Sequence, residues 1–185
     1  NSTSQEAPSP ANTDLTSFDS NGFTLGTNNN GNVNTSTSTY VAWCWKAGGA
    51  AVSGSSSQAT NVTYSANPDS GFSIVKFRSS SSTAQPPPMN YITHGLNSNV
   101  EMTIYKRLDS TQNWVVQHKD LNQSTALSLN LSNAVGSPAT YTFFDNTSQS
   151  GKIGVRSNYT ISRDANYIAY CFHSVTGYSK FGSYS

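Results

Sequence analysis

The stretch TYVAWCWKAG, residues 39 to 48, is written again near the other end of the chain as NYIAYCFHSV, residues 166 to 175. Tyr40 matches Tyr167, Val41 Ile168, Ala42 Ala169, Trp43 Tyr170, Cys44 Cys171 and Trp45 Phe172. Side chains alternate across an extended strand, so Tyr40, Ala42 and Cys44 share one face, as do Tyr167, Ala169 and Cys171. Val41, Trp43 and Trp45 give the opposite face equal bulk. A strand apolar on both faces is expected to be central and covered on each side, and both copies are expected to be such strands.

Outward from these lines the same grammar continues. GFTLG at 22 to 26 reads as a short glycine-bounded strand, TNVTYSA at 60 to 66 alternates weakly, and NPDSG turns into FSIVKF at 72 to 77. SSSSTAQPPP reads as a long surface loop stiffened by Pro86, Pro87 and Pro88. VEMTIYKRL at 100 to 108 puts Val100, Met102, Ile104 and Leu108 on one apolar side, and DSTQ turns it into NWVVQHK at 113 to 119 as an antiparallel hairpin. TALSLNLS at 125 to 132 brings Leu127, Leu129 and Leu131 together; TYTFF, GKIGV and YTIS add short β-like pieces. Helical spacing is sustained nowhere. Many short strands between turn signals predict an all-β, antiparallel β-sandwich or jelly-roll-like fold with little or no helix.

The repeat is wider than one strand. FDSNGFTLG at 18 to 26 echoes FDNTSQSGKIG at 144 to 154, and GFSIVKF at 71 to 77 echoes GYSKFGSY at 177 to 184. The spacing from Tyr40 to Tyr167 is 127 residues, a domain-sized period. Residues 1–70, of which 1–21 are extended, therefore read as the end of one β module, and 71–185 as a second, with 166–185 repeating the 39–77 strands. The alternative is a single pseudo-symmetric sandwich. Residue 1 is Asn with no basic-then-apolar leader before it, which suggests the visible part of a longer protein.

Composition narrows the function. Only 10% of the 185 residues are charged and the net charge is +1, so no basic field exists to hold nucleic acid or acidic lipid. The longest apolar run is far shorter than the ~20 residues that span a bilayer, so no membrane insertion is expected. Aromatics at 11% separate the chain from disordered, polar-rich tails. Two cysteines leave two readings open, a disulfide between the repeat strands or two buried thiols acting as small apolar residues.

The blocks TYVAWCWKAGG, GFSIVKF, THGLNSNVEMTIYKR, NWVVQHKDL, TALSLNLSNA and NYIAYCFHSVTGYSKFGSY together resemble a β-rich module of uncharacterised function found in tail and tail-fibre proteins of tailed, often marine, bacteriophages. The resemblance spans about residues 18 to 185, and His94, Gly95, Leu96 and Lys106 fit its His-Gly-Leu turn before a Lys-ended strand. The chain departs from it at NSNVEMT and at SSSSTAQPPP. The resemblance implies a virion structural protein acting in scaffolding or host attachment, a homo-oligomer with a trimer favoured, contacts with other virion proteins, and no catalytic residues to carry over.

Chemistry-bearing residues are sparse, and no enzyme activity, cofactor or metal is expected. A glycosidase needs two carboxyl groups about 5 to 9.5 Å apart. Asp19, Asp69, Asp109, Asp145 and Asp164 all read as turn acids, leaving Glu101 as the one acid within an expected strand. His94, His118 and His173 lack metal-ligand spacing. A carbohydrate-binding receptor-recognition module is the alternative function, a polysaccharide depolymerase the less favoured one. Host surface glycan would meet rings such as Tyr64, Tyr91, Tyr105, Trp114, Tyr159 and Tyr178. Sequons at Asn1, Asn34, Asn61, Asn122, Asn130, Asn146 and Asn158 match what chance supplies in so Ser/Thr-rich a chain.

Overall fold

A computed structural model describes residues 14–27, 33–134, 144–145, 149–157 and 161–183. Among these the protein is all-β, with three antiparallel sheets and no helix. The strands are β1 (Leu15–Asp19), β2 (Gly22–Leu25), β3 (Val52–Ser53), β4 (Thr60–Asn67), β5 (Phe72–Arg78), β6 (Met89–Thr93), β7 (Met102–Arg107), β8 (Val115–His118), β9 (Leu127–Ser128), β10 (Phe144–Asp145), β11 (Lys152–Arg156) and β12 (Asn166–Phe172). The chain divides into two compact units, one comprising Trp45–Ser185 and the other Glu6–Cys44. The module boundary expected after residue 70 falls in the turn between β4 and β5, which are neighbours in one sheet.

The larger unit contains a sheet in the order β3-β4-β5-β12-β7-β8-β9 and a smaller one in the order β10-β11-β6. β12 occupies the centre: Tyr167, Ala169 and Cys171 lie opposite Phe77, Val75 and Ser73 of β5 on one side, and Arg107, Tyr105 and Thr103 of β7 on the other. This row faces the core. Ala169 is small because Val75 and Tyr105 flank it, and Tyr167 stacks on Phe77 with ring centroids 5.8 Å apart. One hydrophobic cluster draws Val75, Tyr105 and Ala169 from the large sheet and Ile92, Phe144, Ile153 and Val155 from the small one.

Several expected strands are present where the alternation placed them, β2, β4, β5 and the β7–β8 hairpin among them. Five expectations are corrected. Residues 40 to 46 form no strand; Tyr40, Val41, Trp43, Cys44 and Trp45 are all exposed, while their counterparts in β12 are buried or half-buried. The physical reason is occupancy, since the slot between β5 and β7 is filled by β12. In β7 it is Thr103 and Tyr105 that face the core, with Met102 and Ile104 half-buried on the outer face, because the Tyr105 ring stacks on Phe144 of the other sheet at 5.5 Å.

The leucine strand at 125 to 132 shortens to β9, and Leu129 and Leu131 are exposed. There the Asn130 side chain accepts a hydrogen bond from the Trp114 N–H at 2.8 Å and Leu131 N–H bonds back to Ser128, so a turn replaces the ladder. The echo at 177 to 183 makes only the isolated bridge Val175–Ser179, with Tyr178 exposed. In the smaller unit, β1, within the segment expected to be merely extended up to residue 21, pairs with the expected strand β2 as an antiparallel hairpin.

Candidate functional site

One end of the large sheet gathers the groups with the most chemistry. There β5 begins, β12 ends and β7 begins: His173 N–H bonds to Gly71 C=O at 2.9 Å and Glu101 N–H to Phe172 C=O at 2.8 Å. Phe72 and Phe172 are opposed across the β5–β12 pair with centroids 5.0 Å apart. Trp45 lies on both, at 5.9 and 5.6 Å, and Phe181 meets Phe172 at 5.5 Å. The floor of this quartet is buried, whereas Trp45 remains 52% exposed. The backbone after Trp45 is held at Lys46 C=O, which accepts from Asn67 Nδ2 at 3.2 Å and Ser70 Oγ at 3.3 Å.

Glu101 stands beside the quartet and organises it. Its carboxylate accepts from Lys119 Nζ at 2.9 Å, Ser174 N–H at 2.7 Å and the Ser174 hydroxyl, whose oxygen in turn accepts the Phe181 N–H at 3.0 Å. Burial pulls the Glu101 carboxyl upward, but the hydrogen bonds from Ser174 and Lys119 outweigh it and leave it below the ordinary glutamate value. A general acid at neutral pH needs the opposite shift. Glu101 is therefore a positioning anion here.

Behind this end lies a polar pocket of the core. His94 is fully buried; its Nδ1 accepts the Leu96 N–H at 3.1 Å, and its carbonyl accepts the Ser73 hydroxyl at 2.6 Å. Burial, with a smaller contribution from His173, pushes the imidazole down to about 4, so it is neutral at physiological pH. Gly95 follows with φ +74°, and a Cβ there would sit 2.2 Å from the Tyr64 ring. Gly95→Ala is accordingly expected to cost about 1–3 kcal/mol, read as a lowered midpoint in urea unfolding.

The remaining candidates have structural duties. Asp109 takes Arg107 Nε at 2.6 Å and Asn166 N–H at 2.8 Å; Asp164 takes Arg78 Nε at 2.8 Å; Asp145 is buried and accepts from the Tyr91 hydroxyl at 3.0 Å; Asp19 ties Ser17 and Thr24 within the β1–β2 hairpin. Asp69 lies in the β4–β5 turn. His118 Nδ1 accepts the Asp120 N–H at 3.3 Å, and His173 Nδ1 lies 2.8 Å from the Ser174 carbonyl. Lys106 is buried, its Nζ donating to Gln112 C=O at 2.8 Å and lying 5.8 Å above the Trp114 ring. Among the described residues no group of three or more His, Cys, Asp or Glu is placed to hold a metal.

Of the rings read as sugar contacts, Tyr105 is wholly buried, Tyr64, Tyr91 and Trp114 are half-buried, Tyr178 is exposed, and Tyr159 lies outside the described residues. Asn1, Asn146 and Asn158 lie outside them too. Asn34, Asn122 and Asn130 spend their side chains on hydrogen bonds within the protein, and Asn61 adopts the left-handed region at φ 55° where the register of β4 shifts. The aromatic quartet was missed in the sequence because its members stand at 45, 72, 172 and 181. The one available signal was the repeat, which equates Trp45 with Phe172.

Both cysteines are free, which removes the disulfide alternative; Cys171 is buried as the thiol reading expects, and Cys44 is exposed against it. Burial pushes the Cys171 thiol far above its ordinary range. Iodoacetamide at neutral pH should alkylate Cys44 within minutes and spare Cys171 until the protein is unfolded, as mass spectrometry of the labelled chain will show.

No curated protein and no solved structure matches the chain. A family model described as a domain of unknown function, DUF7483, covers residues 1–185, all of the strands and the aromatic end just described included, and the chain belongs to that family.

Proposed function

We propose that the protein is a structural and attachment module of a tailed-phage virion appendage, in which the large and small sheets are the two layers of a β-sandwich. The observation that carries the reading is a set of exposed aromatic side chains, Tyr40, Trp43, Trp45 and Tyr178, on a chain with few charges. Such a surface offers contact area without a long-range field, as suits rigid scaffolding and repeated weak attachment strengthened by avidity. The resemblance to phage tail and tail-fibre modules points the same way, and with it a homo-oligomer, trimeric by that likeness, that meets other virion proteins in an extracellular particle. Antibody raised against the protein should label an appendage of purified particles in electron micrographs. Particles that bind no antibody, from lysates that contain the protein, would refute the assignment.

The second reading is a carbohydrate-binding receptor-recognition module, favoured by the half-exposed Trp45 ring on its aromatic floor. Glycan-array binding that disappears in Trp45→Ala supports it. Release of reducing ends from host polysaccharide, abolished by Glu101→Gln, would instead establish a depolymerase.

A further inference from the structure

The repeat in the sequence has a structural counterpart in which one copy is assembled and the other is bare. Phe144-Asp145 of β10 pairs with Val155-Gly154 of β11, β11 pairs onward with β6, and β12 follows between β5 and β7. Phe18-Asp19 of β1 likewise pairs with Phe23-Gly22 of β2, and the β12-like residues Tyr40–Cys44 follow. Each copy is thus a Phe-Asp hairpin and then a Tyr-x-Ala-x-Cys segment.

Their surroundings are opposite. Phe144 is 1% exposed and Phe18 84%; Tyr167 is 1% exposed and Tyr40 51%. Among the described residues, the backbone N–H and C=O groups of 41 to 45 have no hydrogen-bond partner in the protein. An exposed apolar segment with a free backbone is a template for strand addition.

The inner-face residues define what it would pair with. Ala169 is held small between Val75 and Tyr105, and Cys171 between Ser73 and Thr103. Ala42 and Cys44 reproduce both small positions at the right spacing, although both are exposed and no described neighbour requires it. Val41 and Trp43 stand where Ile168 and Tyr170 occupy the outer face, which is only half-buried and tolerates the size change.

The count of strands argues against an intact second copy, whose slot its own β12 fills, as the receiver. Among the described residues each chain has one β5–β7 slot and one free edge of β6 for a hairpin, both filled by β10–β12, yet it carries two sets of closing elements. Association between copies therefore always leaves one set over.

We propose that residues 15–25 and 40–44 close a separate module of the same family, one that presents β5-, β6- and β7-type strands and lacks its own closing hairpin and central strand. In it β2 would lie along the β6-type strand and Tyr40–Cys44 would insert between the other two, while Trp45 stays packed on Phe72 and Phe172. The division between Cys44 and Trp45 falls where this handover requires it. The inference holds whether or not the protein belongs to a virion.

The test uses full-length chains. The receiver is Ala42→Asp/Ala169→Asp, whose own closing strand cannot seat and whose free segment is disabled; the donor is the wild-type protein. Mixed with excess receiver, the donor's Cys44 should become at least tenfold slower to alkylate, read by mass on the two distinguishable chains, and Ala42→Asp as donor should gain no protection. A second variant, Ile168→Val/Tyr170→Trp, rewrites β12 as the free segment and should keep Cys171 unreactive and the unfolding transition single. Unchanged donor Cys44 reactivity, equal protection of the Ala42→Asp donor, or a reactive Cys171 in the rewritten chain each overturns the proposal.

Discussion

Phe144→Ala should lower the unfolding free energy by about 3–5 kcal/mol, the cost of emptying a fully buried aromatic site. Phe144 belongs to the small sheet, is 1% exposed, and stacks on Tyr105 of the large one at 5.5 Å. Its removal leaves a cavity bounded by two different sheets, so neither can collapse into it by a local side-chain shift. For a chain of this size the loss corresponds to a fall in Tm on the order of 10 °C. Phe144→Leu, which refills much of the volume, should recover more than half of that. A single sharp transition moved down as a whole is the signature of one shared core. A change below about 1 kcal/mol would mean that the small sheet is held by its own hydrogen bonds alone.

The second large effect is a loss of stability on mild acidification. An imidazole with its ordinary value near 6.5 in the unfolded chain and about 4 in the fold takes up a proton on unfolding throughout that interval. The unfolded state then binds more protons than the native one, so stability rises with pH across the window. The His94 contribution is complete above pH 6.5 and is lost progressively as pH falls towards 4. At ~1.36 kcal/mol per pH unit the whole interval is worth about 3 kcal/mol. Glu101 and Asp109 are held below their ordinary carboxylate values of 4.5 and 3.8, so their losses set in mainly below those values, beneath the pH 5 to 7 range of the test. Urea midpoints taken between pH 5 and 7 should therefore slope upward in the wild type and run nearly flat in His94→Asn. An equal slope in both would locate the effect elsewhere.

How legible the fold was in the sequence differs from element to element. β4, β5, β8 and β12 could be read from their own few residues, β4 by weak alternation and β12 by its two apolar faces, because an extended backbone sends successive side chains to opposite faces. β7 alternates as clearly, yet its apolar side, Met102 and Ile104, is the half-buried outer one. Thr103 and Tyr105 face the core because a ring from β10 lies against that side, and no local pattern records which neighbour a strand will meet. β9 ended early because the Asn130 side chain bonds across to Asn113 and Trp114, a competition between side chain and ladder that a run of leucines conceals. The aromatic end of the sheet was illegible for a simpler reason: its four rings are brought together from four distant segments by strand order.

The repeated line makes the contrast sharpest. Its chemistry, a ribbon with two apolar faces and two obligatory small positions, is a property of covalent order and is the same at residue 40 as at residue 167. Whether such a ribbon is buried depends on a pair of strands with unsatisfied backbone groups on either side. Among the described residues chain connectivity furnishes that pair once, and β12 takes it. Composition and periodicity are local sums and so reach the all-β class and the polar, weakly charged surface. Occupancy of a slot is a competition among distant segments, and only the folded chain resolves it.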